Sequence, residues 1–327
     1  MAAAAITLEQ VKKNFGAVQA LRGVSLEIPE KTVFGLIGPN GAGKTTLFSL
    51  LLGYLEPSEG SLRVLGVKPS ELHTLRGQVA ALPQDSDLPP TITITQALTY
   101  FGSLCGLSGA ALNKDIDRVL ELVDLKEWRR AKIRQLSHGM KKRVGIAQTL
   151  IGEPKLIILD EPTSGLDPKH AYHLIQLFKA ITDKTTVLIS SHNLGELEHL
   201  CDSAVILVRG GIVRSGSMND IRRADVEVRV TLGQGKEPNL SVLAGALGDA
   251  RLDYVADTRL LTLRFEENAG KSSDEQTTKA LSAMIADGLT IRSVERGQSL
   301  LNTYLELAGG PSPTAAPVAA PAPMAKI

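Results

Sequence analysis

The stretch that most constrains this chain runs from 33 to 52. An apolar run at 33–37 leads into Gly-Pro-Asn-Gly-Ala-Gly-Lys-Thr-Thr at 38–46, and residues 45–52 continue with helical character. Gly38, Gly43, Lys44 and Thr45 stand at the spacing G-x-x-x-x-G-K-[ST], which, between a buried strand and a helix, cradles the phosphates of a nucleotide. Glycines at 38, 41 and 43 let the backbone turn with no Cβ in the way, so that successive N–H groups can point at phosphate oxygens. The helix that follows adds unpaired N-terminal amides and the positive end of its dipole. Lys44 then reaches the β and γ phosphates, and the Thr45 hydroxyl ligates Mg²⁺. A glycine-rich turn with an exposed lysine is the bland alternative, and the strand and helix on either side weigh against it.

The 327 residues suit one large or two ordinary domains, and 43% hydrophobic content is enough to build cores. A formal net charge of +1 implies no polyanionic partner and argues against nucleic acid. Cys105 and Cys201 are far apart in sequence and fit a reducing compartment, each as a buried apolar residue. No apolar run approaches the length of a bilayer span, and the alanine-rich start carries no basic region, so the expectation is a cytosolic protein whose membrane role comes through a partner.

Along the chain, 6–11 and 24–28 alternate apolar and polar, which predicts an antiparallel β layer ahead of the phosphate loop. Phe15 is the aromatic of that layer, able to stack on a purine or to cover a core edge. A turn at 53–60 and a strand at 61–67 follow, then an apolar run at 78–82 that ends beside Gln84. Gln84 is either an ordinary loop glutamine or, just past a strand end, a ligand contact of an open α/β sheet. From 95 to about 128 the pattern turns helical: Ile116, Val119, Leu120 and Val123 repeat at three and four, with Asp115, Asp117 and Glu121 on the other face.

Ser137 reads as an N-cap ahead of a helix over 140–151, and Lys141, Lys142 and Arg143 crowd its first turns. The dipole disfavours cations there, so either an anion binds at this helix start or the residues form a solvated basic face.

The run 156–159 is a continuous apolar strand ending in Asp160-Glu161. Two adjacent carboxylates at a strand's C-terminal edge repel unless a cation or proton intervenes. In a phosphate-loop protein the first acid holds Mg²⁺ and the second can activate the attacking water; otherwise Asp160 caps a turn and Glu161 is solvated. A helix carrying Ala171, Leu174, Phe178 and Ile181 follows, with His170 and His173 as exposed residues on it. A β-rich run at 185–190 ends beside His192, and 204–213 reads as a hairpin closing the unit. From about 225 the character changes. Val226, Val228 and Val230 alternate with polar residues, as do Leu261, Leu263 and Phe265; 279–287 reads helical, 291–295 extended and 300–307 helical. Beyond Gly309 the chain is mostly Pro, Ala and Ser, with too little to bury against its ordering entropy.

Taken together, these segments resemble the ATP-binding subunit of an ABC transporter over residues 4 to about 220. The resemblance rests on six motifs in order: a Walker A loop at 38–45, a Q-loop at Gln84, a signature segment at 136–140, a Walker B strand ending in Asp160 and Glu161, a D-loop at 164–167, and a switch histidine at His192. It implies an α/β P-loop NTPase core, a mixed sheet flanked by helices, with an antiparallel β subdomain and an inserted helical subdomain, plus a small C-terminal α+β domain. The implied boundaries are 4–224 for the cassette, about 90–152 for the helical subdomain, 225–308 for the accessory domain, and 309–327 for a disordered tail.

The resemblance also implies the ligands, ATP and Mg²⁺, and the residues that hold them. Phe15 would stack on adenine, where the family often has Tyr. Gly38, Asn40, Gly41, Gly43, Lys44, Thr45 and Thr46 would hold the phosphates, and Thr45, Gln84 and Asp160 the metal. Glu161 would act as general base, His192 would contact the γ-phosphate, and Gln84 would sense the attacking water while linking to the membrane partner. Ser137 and Gly139 would close over the nucleotide of an opposite protomer, because in this family the site is completed in a dimer, and Asp167 of the D-loop would also contact nucleotide. His138 and Met140 stand where the usual signature Leu-Ser-Gly-Gly-Gln has glycine and glutamine.

The stretch 294–309 is similar to the closing segment of ATPases paired with small export permeases for drugs, polysaccharides or lipids, with Leu301-Asn302 where many relatives carry an acidic pair. The expected protein is therefore the ATPase subunit of an exporter. It would be a homodimer or heterodimer on the cytoplasmic face of the membrane, bound to an integral membrane permease and to no nucleic acid. A soluble ABC-type ATPase acting on the ribosome or DNA is the rival, opposed by the single cassette and the absence of sustained heptads. A module that holds ATP without cleaving it is opposed by Glu161 and His192.

Overall fold

The computed structural model describes residues 3–84, 87–191, 197, 200–222, 226–247, 250–265 and 273–297. The alternating N-terminal stretches form β1 (Ala4–Phe15) and β2 (Val18–Pro29), paired antiparallel with Ile6 opposite Ile28, Leu8 opposite Leu26 and Val11 opposite Val24. Both run well past their apolar alternation, because ladder hydrogen bonds continue through polar pairs such as Lys12 and Arg22.

Next come β3 (Val33–Ile37), α1 (Lys44–Leu51) and β4 (Glu59–Val64), the last pairing with the free edge of β1. The strand expected over 61–67 stops at Val64. Leu65 and Gly66 both have positive φ (47° and 83°) and turn the chain back so that Val64 bridges Val67. A left-handed pair of residues cannot continue a pleat.

β5 (Val79–Leu82) precedes a helical insertion made of α2 (Ile94–Leu104), α3 (Gly109–Leu122) and α4 (His138–Leu150). A capping box at Thr93 and Gln96 starts α2. Leu112, Ile116, Val119 and Leu120 bury one face of α3. Asp115, expected on the solvated face, is instead drawn in. Its carboxylate accepts from the Arg118 Nε (2.6 Å) and from the Gly152 amide (2.8 Å), and Arg118 reaches the Leu150 carbonyl, so this pair ties α3 to the end of α4.

The chain then forms β6 (Leu156–Asp160), α5 (Pro168–Ala180), β7 (Thr186–Ser191), β8 (Ser203–Val208) and β9 (Gly211–Ser217). Six strands make one sheet in the order β5-β6-β7-β3-β8-β9, all parallel except the final hairpin. β3, β6 and β7 are buried at every residue, as a sheet covered on both faces requires. Alternation decides the cover. Ile157, Leu159, Val187 and Ile189 face the core shared with α2 to α5, whereas Leu156, Ile158, Leu188 and Phe34 face α1 and the antiparallel layer. The sheet is thus held between two cores, and its C-terminal edge carries the loops after β3, β5 and β6.

Residues from 226 onward build a separate sheet and core. β10 (Val226–Leu232), a helix Leu240–Leu247, β11 (Arg251–Val255), β12 (Leu260–Phe265), a helix Ser273–Ala286 and β13 (Ile291–Gly297) follow as βαββαβ, with the antiparallel order β11-β12-β10-β13. Val228, Val230, Leu261 and Leu263 pack against Leu243, Ala280 and Met284. This is a ferredoxin-like arrangement. The first helix and β11 carry no clear period and were not expected from sequence, whereas the alternation in β10 and β12 was. The helix expected over 300–307 and the tail 309–327 lie outside the described residues.

Both cysteines are free thiols. Cys201 is buried as expected. Cys105 is only half-buried: it caps the end of α2 and packs against the edge of the core. Burial pushes both thiols up from their ordinary range. Among the described residues no helix is long and apolar enough to cross a membrane.

Candidate nucleotide site

The parallel sheet delivers three loops to one place. At the end of β3 the glycine-rich loop wraps the start of α1, with Gly43 as N-cap at φ 108° and no side-chain cap. A Cβ at Gly43 would lie 2.8 Å from the Ala20 carbonyl oxygen, and one at Gly38 would lie 2.5 Å from that of Leu207, so both positions admit glycine alone. The first amides of α1 are therefore left for a ligand.

Lys44 is buried, and its ammonium donates to the carbonyl oxygens of Gly38 (2.6 Å) and Pro39 (3.2 Å). Burial pulls its pKa down, while Glu161 and Asp160 pull it back up. The loop thus folds back on its own lysine, which is held for an anion by two carbonyls that a phosphate can replace.

Asp160 closes β6 and Glu161 follows it, 5% and 6% exposed. Ser190 of β7 organises both acids. Its hydroxyl donates to Asp160 Oδ1, and its hydroxyl and carbonyl oxygens accept from the Glu161 amide at 3.1 and 3.2 Å. Glu161 adopts φ 50°, a left-handed turn that a glutamate takes only when its surroundings impose it. The Thr45 hydroxyl stands 3.5 Å from Asp160 Oδ2. Two hard oxygen donors that close to the phosphate cradle suit Mg²⁺, which is bound through one or two protein oxygens together with phosphates and water. No group of three or more His, Cys, Asp or Glu able to hold a metal occurs among the described residues.

These groups line one cavity of about 410 Å³. Of the residues expected from sequence, Asn40, Gly41, Gly43, Lys44, Thr45 and Thr46 meet there, joined by Gln84, Asp160 and Glu161. Gly38 lies beneath the loop against Leu207. His192 lies outside the described residues. Phe15 is not in the lining; the residue is 48% exposed, with Lys13 Nζ 5.2 Å from its ring centroid. Sequence reasoning missed Ser190, Val18, Gln19, Arg22 and Arg209, of which the last four line the cavity. The signal open to it was position: Ser190 lies one strand over from Asp160, and Arg209 lies in the turn after β8, beside β3.

Ser137, Gly139 and Asp167 do not line this cavity. Ser137 caps α4, its hydroxyl accepting from the Met140 amide at 3.2 Å. Asp167 caps α5, accepting from the His170 amide (3.1 Å), and its other oxygen lies 2.5 Å from His170 Nδ1. Those His170 hydrogen bonds, side chain first, hold the Asp167 carboxyl below its ordinary value. His170 is thus a half-buried partner of the D-loop rather than an exposed helix residue.

The basic cluster is also partly reassigned. Arg143 turns back to donate to the carbonyls of Val123 (2.9 Å) and Asp124 (3.0 Å), so it closes the end of α3 instead of seeking an external anion. One departure in the signature, His138, has a structural partner. The His138 ring lies over Gly165, where a Cβ would stand 2.9 Å from Cδ2 and Nε2, and Gly139 faces Leu166. Gly165 has φ 79°, so Gly165→Ala is expected to lower stability and turnover together, and His138→Gly in the same chain to restore part of the loss, read by denaturation and phosphate release.

The comparisons with known proteins agree with this geometry. The family model described as ABC transporter matches residues 21–164. The Nod factor export ATP-binding protein I of Ralstonia nicotianae is 31% identical over 309 residues, covering 93% of this chain and 94% of that protein. An uncharacterized ABC transporter ATP-binding protein of Bacillus subtilis, YxlF, is 31% identical over 307 residues, covering 92% and 99%. Among solved structures, an ATP-binding subunit of an ABC transporter superposes with a TM-score of 0.62 at 30% identity, over 67% of this chain and 92% of that one. The cassette MJ0796, solved as a dimer in a post-hydrolysis state bound to ADP and Pi, gives 0.60 at 26% identity, over 65% and 98%. With a phosphate cradle, a buried lysine and an acid pair gathered at one sheet edge, and with relatives that match it nearly end to end, this chain belongs to the ATP-binding proteins of the ABC transporters and is an ATPase whose hydrolysis is coupled to transport.

Proposed function

We propose that two copies of this cassette, or this one and a related one, close on two Mg·ATP and drive a separate integral membrane permease at its cytoplasmic face, in the direction of export. The observation that carries the dimer is the division of the site: Lys44, Thr45, Asp160 and Glu161 meet in one cavity, while Ser137 and Gly139 of the same chain stay out of it. A second copy can bring its own signature corner to that cavity. Export is supported by the relatives that are Nod factor export ATP-binding proteins, and by the resemblance of the segment 294–309.

In this reading Lys44 and the loop amides at 40–46 hold the phosphates, and Phe15 offers an exposed ring to the adenine. Thr45, Asp160 and Gln84 hold a magnesium ion, which when bound neutralises charge on the phosphates. Glu161, fixed through its amide by Ser190, takes the proton of the attacking water, and His192 steadies the γ-phosphate. The cassette occupies 4–224, with its helical insertion over about 90–152, and the accessory domain 225–308. Closure does the mechanical work, because ATP interacts differently with the open and closed pairs.

ATPase activity per milligram is expected to rise with protein concentration until dimers saturate. Activity strictly proportional to concentration from the most dilute sample upward would exclude a composite site. Co-purification from membranes with an integral protein tests the permease.

A further inference from the structure

Besides Lys44, the cations that line the nucleotide cavity are Arg22 and Arg209, and no motif accounts for either. Arg209 sits in the two-residue loop joining β8 to β9, between the paired residues Val208 and Gly211. Arg209 has φ 48° and Gly210 φ 79°, so the loop is a type I′ turn. That turn favours Asn or Asp before glycine, because their short side chains tolerate the left-handed region. Arginine is a poor choice for the backbone here.

The turn is held from both sides. The Gly210 amide donates to Ala42 of the phosphate loop (2.9 Å), and its carbonyl accepts from the Arg22 amide (2.7 Å). A Cβ at Gly210 would lie 2.4 Å from the Ala20 oxygen. The position of Arg209 beside the phosphate cradle is therefore set by backbone contacts and does not depend on its side chain. Both arginines are exposed, and neither guanidinium has a hydrogen-bonding or ion-pair partner among the described residues.

Charge says what they face. Within the cavity, Asp160 and Glu161 already outnumber Lys44, and a triphosphate, even with a divalent cation, makes the sum more negative. Two guanidiniums on adjoining backbone would repel each other, and an anion between them removes the repulsion. Their planar forks suit phosphate oxygens.

We propose that Arg22 and Arg209 form a cationic rim that contacts the phosphate chain of the bound nucleotide, adding to its affinity from within the cavity that the acid pair also lines. The rim draws the nucleotide in electrostatically and holds it before the cassette closes.

The test is Arg209→Asn in the full chain, because asparagine suits the turn and keeps the fold. Its denaturation midpoint should equal or exceed that of the parent protein. Affinity for ATP and for ADP should fall about 3- to 10-fold at moderate salt, and the deficit should shrink as ionic strength rises. KM for ATP should rise with it while kcat changes far less. Inorganic tripolyphosphate should compete less well against a fluorescent nucleotide on the variant than on the parent. Arg209→Lys should recover part of the affinity, and Arg22→Gln should show the same pattern. Unchanged ATP affinity in both single variants and their double overturns the proposal, as does a deficit that is the same at low and high salt. A fall in kcat with affinity intact also overturns it, because the arginines would then act across protomers.

Discussion

Glu161→Gln is expected to lower ATP turnover by about 10²- to 10⁴-fold, the usual worth of general-base assistance, while ATP still binds. Glutamine keeps the shape, so the left-handed backbone at 161 and the amide's bonds to Ser190 persist. What disappears is the oxygen that can take a proton. Removing one of two adjacent buried acids also eases their mutual repulsion, so the nucleotide should be held at least as firmly. Such a protein should accumulate as an ATP-loaded dimer, visible as a shift in size-exclusion chromatography on adding Mg·ATP. Turnover within a few-fold of the parent protein would remove Glu161 from the role of base.

Lys44→Ala is expected to weaken ATP binding by about 10- to 100-fold, the range for losing hydrogen bonds to a charged group. Lys44 is the buried cation beside Asp160 and Glu161, and its ammonium is already pointed at the loop by the Gly38 and Pro39 carbonyls. Without it a triphosphate would face the two acids with less compensation. Equilibrium binding measurements check this, and unaltered affinity would mean that the loop amides alone carry the phosphates.

The same lysine gives a pH signature in the nucleotide-free protein. Its pKa in the fold is lowered from 10.5, chiefly by burial, so between the lowered value and 10.5 the unfolded chain binds more protons than the native one. Stability contributed by this group therefore rises with pH across that window. Urea midpoints taken over the alkaline range should show the rise in the parent protein and lose it in Lys44→Met.

Much of the site was readable from the chain because its chemistry depends on local spacing. The loop at 38–46 must turn tightly and carry a lysine at its helix start, and the acids at 160 and 161 must stand at the end of a buried strand. The antiparallel layer and α3 were readable from their periods of two and of three to four. Where periodicity was weak, as in the helix Leu240–Leu247 and in β11, nothing in the sequence announced the element; packing against β10 and β12 makes it. Two of the misplacements share an origin. Asp115 and Arg143 were judged by charge as solvent-facing or anion-seeking, yet each meets backbone groups left open at a helix end, a partner that adjacency in sequence does not reveal.

The sequence by itself determined the nucleotide cradle, the acid pair and the order of motifs, since each is encoded within a few consecutive residues. Only the tertiary structure decided that Ser190 steadies both acids, that His138 rests on Gly165, that Ser137 and Gly139 lie outside their own cavity, and that Arg22 and Arg209 border it. The reason is geometric. Parallel strands β3, β6, β7 and β8 bring together ends that are far apart along the chain, and the chemistry of a sheet edge belongs to neighbours in space.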